Sequence, residues 1–154
     1  MPAEPLGPPL PPTVRTYYPH MLSEDCAVWT RWLTANSHRI LGAWYDVHVG
    51  TAVTAPPDTG LVGIQVAAAV SRKRIDVVAK TATQLWCIEV KPYGNYTALG
   101  QALVYSRLLA LEYPGSLPIV PMVICAEVDP DLVDDFSARG VRYEEVGYPP
   151  FGRM

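Results

Sequence analysis

Apolar and polar positions recur with changing period along the chain, and each change marks an element. Over residues 23–36, Val28, Trp29, Trp32 and Leu33 repeat at three and four, which predicts an amphipathic helix. Ser23 has the form of its N-cap, and Glu24 and Asp25 fall in the first turn, where acids oppose the positive end of the helix dipole. Residues 43–49 (AWYDVHV) are β-formers closed by Gly50 and a Pro56-Pro57-Asp58 turn signal, and predict the first strand. Residues 60–70 are apolar without a clean period and read as a second strand or a sheet edge. Residues 75–79 and 85–90, joined by a polar stretch, predict a hairpin. A period of two in its second arm sets Leu85, Cys87, Glu89 and Lys91 on one face and Trp86, Ile88 and Val90 on the other, before Pro92, Gly94 and Asn95 end the strand.

A helix over residues 97–112 follows, with Leu99, Leu103, Val104, Leu108 and Leu111 as its apolar stripe and Gln101 and Tyr105 four apart on one side. Pro114 and Gly115 stop it. Residues 119–126 (IVPMVICA) form a continuous apolar run, expected as a central strand covered on both faces. A short helix from Asp129 to Arg139 and a last strand over residues 141–146 complete the order. The fold class is therefore α/β, with a mixed central β-sheet flanked by helices.

The 154 residues suit one domain, placed at residues 17–148, with a proline-rich, disordered tail over residues 1–16 and a C-terminal tail over residues 149–154. Six prolines among the first twelve residues favour polyproline II, and this segment is also a possible docking site for a protein partner. The longest apolar run, residues 61–70, is too short to span a bilayer, and no apolar run follows a basic start, so no membrane partner is expected and the chain is read as cytoplasmic. Cys26, Cys87 and Cys125 are scattered among apolar neighbours, as free thiols in a reducing compartment are. His48 stands alone in its strand, without a second ligand at metal spacing. A net charge of -3 counts against a protein that coats DNA nonspecifically, and Arg72, Lys73 and Arg74 are the one dense basic cluster.

Against this background, residues 74–105 stand out because Asp76, Glu89, Lys91, Gln101 and Tyr105 sit in apolar surroundings, where ionised groups need a partner or a metal. Phosphodiester hydrolysis needs an activated water and relief of charge on the phosphate and leaving oxygen, which one or two Mg2+ ions on carboxylates supply. Magnesium keeps several waters, so Asp76 and Glu89, with the backbone carbonyl of Val90 as a third donor, suffice to hold it. Lys91 is placed to orient or deprotonate the water or to stabilise the phosphate, and Gln101 and Tyr105 to hydrogen-bond phosphate, water or Lys91. Either Glu24 or Asp25 can project toward such a site from the first helix.

Asp76, the strand ending Ile88-Glu89-Val90-Lys91, and Gln101 with Tyr105 on the next helix resemble the PD-(D/E)xK nuclease superfamily, in particular its RecB-like and Cas4-like members with a Gln-x-x-x-Tyr motif. The resemblance spans residues 24–146, departs in having Ile75 rather than proline before Asp76, and implies a restriction-endonuclease-like core. It implies a Mg2+- or Mn2+-dependent deoxyribonuclease in which Asp76 and Glu89 bind the metal, Lys91 assists the attacking water, and Glu24 or Asp25 joins the site. No cysteines match an iron-sulfur cluster, so none is expected. DNA is the expected partner, with a homodimer suggested by the small surface of one domain. The acidic net charge favours a competing reading, an inactive nuclease fold serving as a structural or protein-interaction module.

Overall fold

The computed structural model describes residues 6–52, 60–63 and 72–149. The expected turn at Pro56 to Asp58 lies outside them, as do most of residues 60–70, of which 61–63 are helical, and all but the first residue of the 149–154 tail. Helix α1 (Ser23–Asn36) is followed by strands β1 (Gly42–Val49), β2 (Lys73–Lys80) and β3 (Leu85–Gly94). Helix α2 (Tyr96–Glu112), strand β4 (Ile119–Val128), the short helix α3 (Val133–Ala138) and strand β5 (Arg142–Glu145) complete the described chain. The strands form one mixed sheet in the order β1-β2-β3-β4-β5. The first three pair antiparallel, and β3, β4 and β5 run parallel, so the fold is α/β as the element order predicts.

Among the described residues, α1 packs on one face of the sheet and α2 on the other. Val28, Trp29, Trp32 and Leu33 of α1 pack on Val77, Ala79, Trp86, Ile88, Met122 and Ile124, with Trp29 and Trp32 stacked at 5.2 Å. On the other face, Ala98, Leu99 and Ala102 of α2 meet Val123, Cys125, Val128 and Phe136, and Leu109 meets Val78 and Cys87. The β4 run is therefore buried from both sides, as its unbroken apolar character requires.

Three local expectations are corrected. The N-cap of α1 is Leu22, without a side-chain bond, and Ser23 lies inside the first turn. Strand β3 does not stop at Pro92 but continues to Gly94, because its β4 partner keeps pairing as far as Gly94 with Val128. Helix α2 turns its small residues Ala98, Ala102 and Ser106 to the sheet and leaves Leu103, Val104 and Leu111 outward. A helix apolar on nearly every side carries no periodic signal of its buried face, and small residues let its axis approach the strands.

Residues 6–16, the described part of the proline-rich segment, are also not a free tail. Leu10 forms an antiparallel bridge with Ala43 through two hydrogen bonds of 2.9 Å, and the Trp44 indole donates to the Gly7 carbonyl at 3.0 Å. A side chain at residue 42 would meet the Leu10 carbonyl at 2.8 Å, so Gly42 permits this approach. The segment covers the outer edge of β1, and proline suits a strand-edge cover that has few ladder bonds to make. Deleting residues 1–12 should lower the melting temperature, by the equivalent of about 2 kcal/mol for three lost hydrogen bonds. An unchanged thermal melt would show that the segment holds nothing.

Strand β5 is tied to the α1 side by Glu144, which accepts two bonds from Arg39 at 2.7 and 2.8 Å and one from the Trp32 indole at 2.8 Å. The Arg39 guanidinium also lies over the Trp32 and Trp86 rings. The Arg39 bonds hold the Glu144 carboxyl below its ordinary value, against the opposing effect of burial. A carboxyl lowered in the folded state contributes stability above its unfolded pKa and loses it as pH falls through the folded value. Glu144→Gln should therefore melt earlier than wild type near neutral pH, with the gap closing on acidification in thermal melts across that range.

Candidate active site

The candidate site forms where the sheet comes apart. The β2–β3 ladder ends at the Val77–Ile88 pair, and continuing its register would set Asp76 directly opposite Glu89. That rung is replaced by a side chain: Asp76 Oδ2 accepts the Val90 N–H at 2.9 Å. Residues two apart in a strand point the same way, so the position of Pro92, which has no N–H to offer, faces this opened side of β3 and leaves no ladder bond unmade. By the same geometry the Val90 carbonyl leaves the strand on the side of its N–H, toward Asp76.

The adjoining pair of strands is broken at the same level. In the β1–β2 register Asp46 falls opposite Asp76, and pairing is interrupted there alone between Tyr45–Val77 and Val47–Ile75. Asp46 has φ 54°, a left-handed backbone that Asp tolerates better than most residues. Its effect is a change of phase: Tyr45 and Val77 pack on the α1 side, whereas Val47, Val49 and Ile75 pack on the α2 side with Trp44 and Val78. Asp76 thus stands at the level where both neighbouring ladders open.

Around it the fold brings together most of the residues singled out from the sequence. Glu89 is 2% exposed, and its carboxyl lies within hydrogen-bonding reach of that of Asp76. Asp25, in the first turn of α1 and 4% exposed, feels both Lys91 and Asp76, while Glu24 points to solvent. Lys91 attracts Asp25, Asp76 and Glu89 alike. From α2, Tyr105 is within hydrogen-bonding reach of Gln101 and close enough to Glu89 and Asp76 to feel their charge. Asp46, opposite Asp76 and felt by it, is the acid that the sequence reading passed over; an acid among the β-formers of residues 43–49 was its one signal.

The electrostatics are those of crowded carboxylates short of positive charge. Burial pushes Glu89 well up, and Asp76 beside it adds to the shift. Burial also raises Asp76 and Asp25, opposed at Asp76 by the Val90 N–H and at both by Lys91. Glu89 Oε1 and Gln101 Oε1 are buried without a hydrogen-bond partner among the described residues. Two adjoining carboxylates with a buried acceptor oxygen fit an oxygen-seeking divalent cation such as Mg2+, which needs one or two carboxylates and completes its shell with water and substrate. Among the described residues no group of three or more His, Cys, Asp or Glu is arranged so that it could hold a metal ion by itself. None of the described helices is long and apolar enough to cross a membrane.

No family model, curated protein or solved structure matches the chain.

A carboxyl raised in the folded state gives full stability below its unfolded pKa and loses it as pH rises through the folded value. Glu89→Gln, isosteric and neutral, should accordingly melt later than wild type at neutral and mildly alkaline pH and converge with it in acid. Equal melts at every pH would remove the carboxylate crowding from the account.

Proposed function

We propose that the chain is a metal-dependent nuclease that hydrolyses phosphodiester bonds in DNA, built on a restriction-endonuclease-like core. The observation that carries this reading is the pair of half-buried Asp76 and buried Glu89, with Lys91 beside it and a partnerless Glu89 oxygen inside. A purely structural polar cluster would be expected to satisfy its buried oxygens, and apolar residues would cost less there. The intact set of Asp, Glu and Lys likewise favours activity over an inactive, partner-binding module.

In this reading Asp76 and Glu89, with the Val90 carbonyl, hold Mg2+ or Mn2+, and Asp25 rather than Glu24 is the helix acid at the site. The cation would neutralise charge on the phosphate and make a water nucleophilic at neutral pH. Lys91 Nζ orients the attacking water or donates to a phosphate oxygen as negative charge builds, and Asp25 holds that ammonium near the carboxylates. The Val90 N–H fixes the Asp76 carboxylate, so its free lone pairs keep one direction. Gln101, its amide oxygen unused, and Tyr105 line the α2 side and supply hydrogen bonds to water or phosphate.

A panel of labelled single-stranded, duplex and branched DNA and of RNA, incubated with Mg2+, Mn2+ or chelator, tests the proposal. Cleavage should need the metal and should vanish in Asp76→Ala and Glu89→Ala while circular dichroism stays folded. Lys91→Ala should lose turnover, on the order of 100-fold or more for loss of a proton-handling group, yet keep the metal-induced rise in melting temperature. Metal should raise the melting temperature of wild type but not of Glu89→Gln. Cleavage unaffected by either acid substitution would overturn the assignment.

A further inference from the structure

Away from the carboxylates, helix α2 carries an ordered face that the described residues leave uncovered. Its outward positions Tyr96, Gly100, Leu103, Arg107 and Ala110 recur at spacings of four, three, four and three, with Val104 and Leu111 along one flank. That is the spacing of a seam between two packed helices. Tyr96 is 74% exposed, Leu111 68%, Val104 38% and Leu103 37%, and Arg107 is the one charge among the seven positions. A surface helix ordinarily turns its charges outward, whereas an apolar stripe held over about four turns ordinarily faces another element.

The two halves of the seam are unlike, and each complements the other. The C-terminal half borders a groove of about 510 Å³ lined by Leu103, Arg107 and Ala110 and by Tyr113, Pro114 and Leu117 of the turn that follows. The N-terminal half offers a large ring at Tyr96 and open space at Gly100, where a Cβ would meet nothing within 4 Å. Two copies laid antiparallel about Leu103 set Ala110 opposite Tyr96, Arg107 opposite Gly100 and Leu103 opposite itself. Each large side chain then meets a small one, and each Tyr96 lies over the groove of the other copy. A parallel pair would instead stack Arg107 on Arg107 and Gly100 on Gly100, like charges in one layer and a gap in another.

We propose that the outward face of α2 is the interface of a two-fold symmetric dimer of this chain, with the helices antiparallel and Tyr96 of each copy seated in the groove beside Ala110 of the other. Size and charge select this occupant: a second copy supplies both the aromatic ring that the groove lacks and the glycine that an Arg107 stem can cross. Tyrosine is a usual anchor in such contacts, because it buries a large area at a small cost in rotamer freedom. Gln101 and Tyr105 are not on the seam, so the pairing uses no residue of the candidate active site and does not rest on the nuclease reading.

The test follows the mass of the full-length chain by sedimentation equilibrium over a dilution series. Wild type should be a dimer that dissociates on dilution. Tyr96→Ala, at a largely exposed position, should weaken dimerisation roughly tenfold or more while the circular dichroism spectrum stays that of wild type. Gly100→Glu and Gly100→Arg each place a better helix former in open space, so both should fold. The glutamate would face Arg107 of the other copy as an opposite charge and the arginine as a like one, so Gly100→Glu should dimerise at least about tenfold more tightly than Gly100→Arg. Equal dimerisation of these two variants, or a dimer unaffected by Tyr96→Ala, puts the contact elsewhere and overturns the proposal. A wild type that stays monomeric at every concentration reached overturns it as well, and leaves this face to a different partner.

Discussion

The hydrogen bond from the Val90 N–H to Asp76 Oδ2 is the constraint on which the candidate site depends. In a continuous hairpin that N–H would point to a backbone carbonyl of β2, and Asp76 and Glu89 would be one more cross-strand pair. Substituting a side chain for the rung lets the strands part without orphaning the amide, since a buried N–H left unbonded would cost about 1–3 kcal/mol. The gap then lets Asp25 of α1 and Tyr105 of α2, from opposite faces of the sheet, both feel the charge of Asp76. Asp25 enters from one side and Gln101 and Tyr105 from the other, although neither helix touches both faces.

The arrangement works against stability, and the rest of the fold offsets it. Three acids around one lysine, two of them nearly without exposure, oppose folding near neutral pH, as the raised carboxyl pKa values indicate. A packed core lies on each side: Trp29 and Trp32 of α1 over Ile88, and Leu109 of α2 over Cys87 and Val78. Where local chemistry contradicts the surrounding packing this sharply, function is the usual reason. The left-handed Asp46 belongs to the same region, at the level where β1 and β2 change phase, so the backbone irregularity and the electrostatic one coincide.

Much of this was legible in the sequence because it followed from local period. Alternation along 85–90 separated Cys87, which packs beneath α2, from Trp86, Ile88 and Val90, which pack beneath α1, and the run at 119–126 announced a strand buried on both faces. The orientation of α2 was not legible, because Ala98, Ala102 and Leu103 are all apolar and only the closeness of the sheet selects the small ones. Composition misled at the N-terminus, where proline content was equated with absence of structure; an edge cover needs only two ladder bonds and the indole of Trp44. Neighbours in sequence, Glu24 and Asp25 point about 100° apart on a helix, and the packing of α1 on the sheet decides which is buried. The opposition of Asp46 to Asp76 depends on a register between strands separated by more than twenty residues, which no local pattern encodes.

The charge balance also takes a different meaning from its sum. Averaged over the chain, a net charge of -3 argues against a polyanionic partner, yet the acids are not evenly spread. Glu112 and Glu144 are engaged by arginines, while Asp25, Asp76 and Glu89 are concentrated around Lys91 alone of the charged partners named for them. Electrostatic steering depends on the field at the mouth of a site rather than on the total, and salt screens distant charges within about 10 Å.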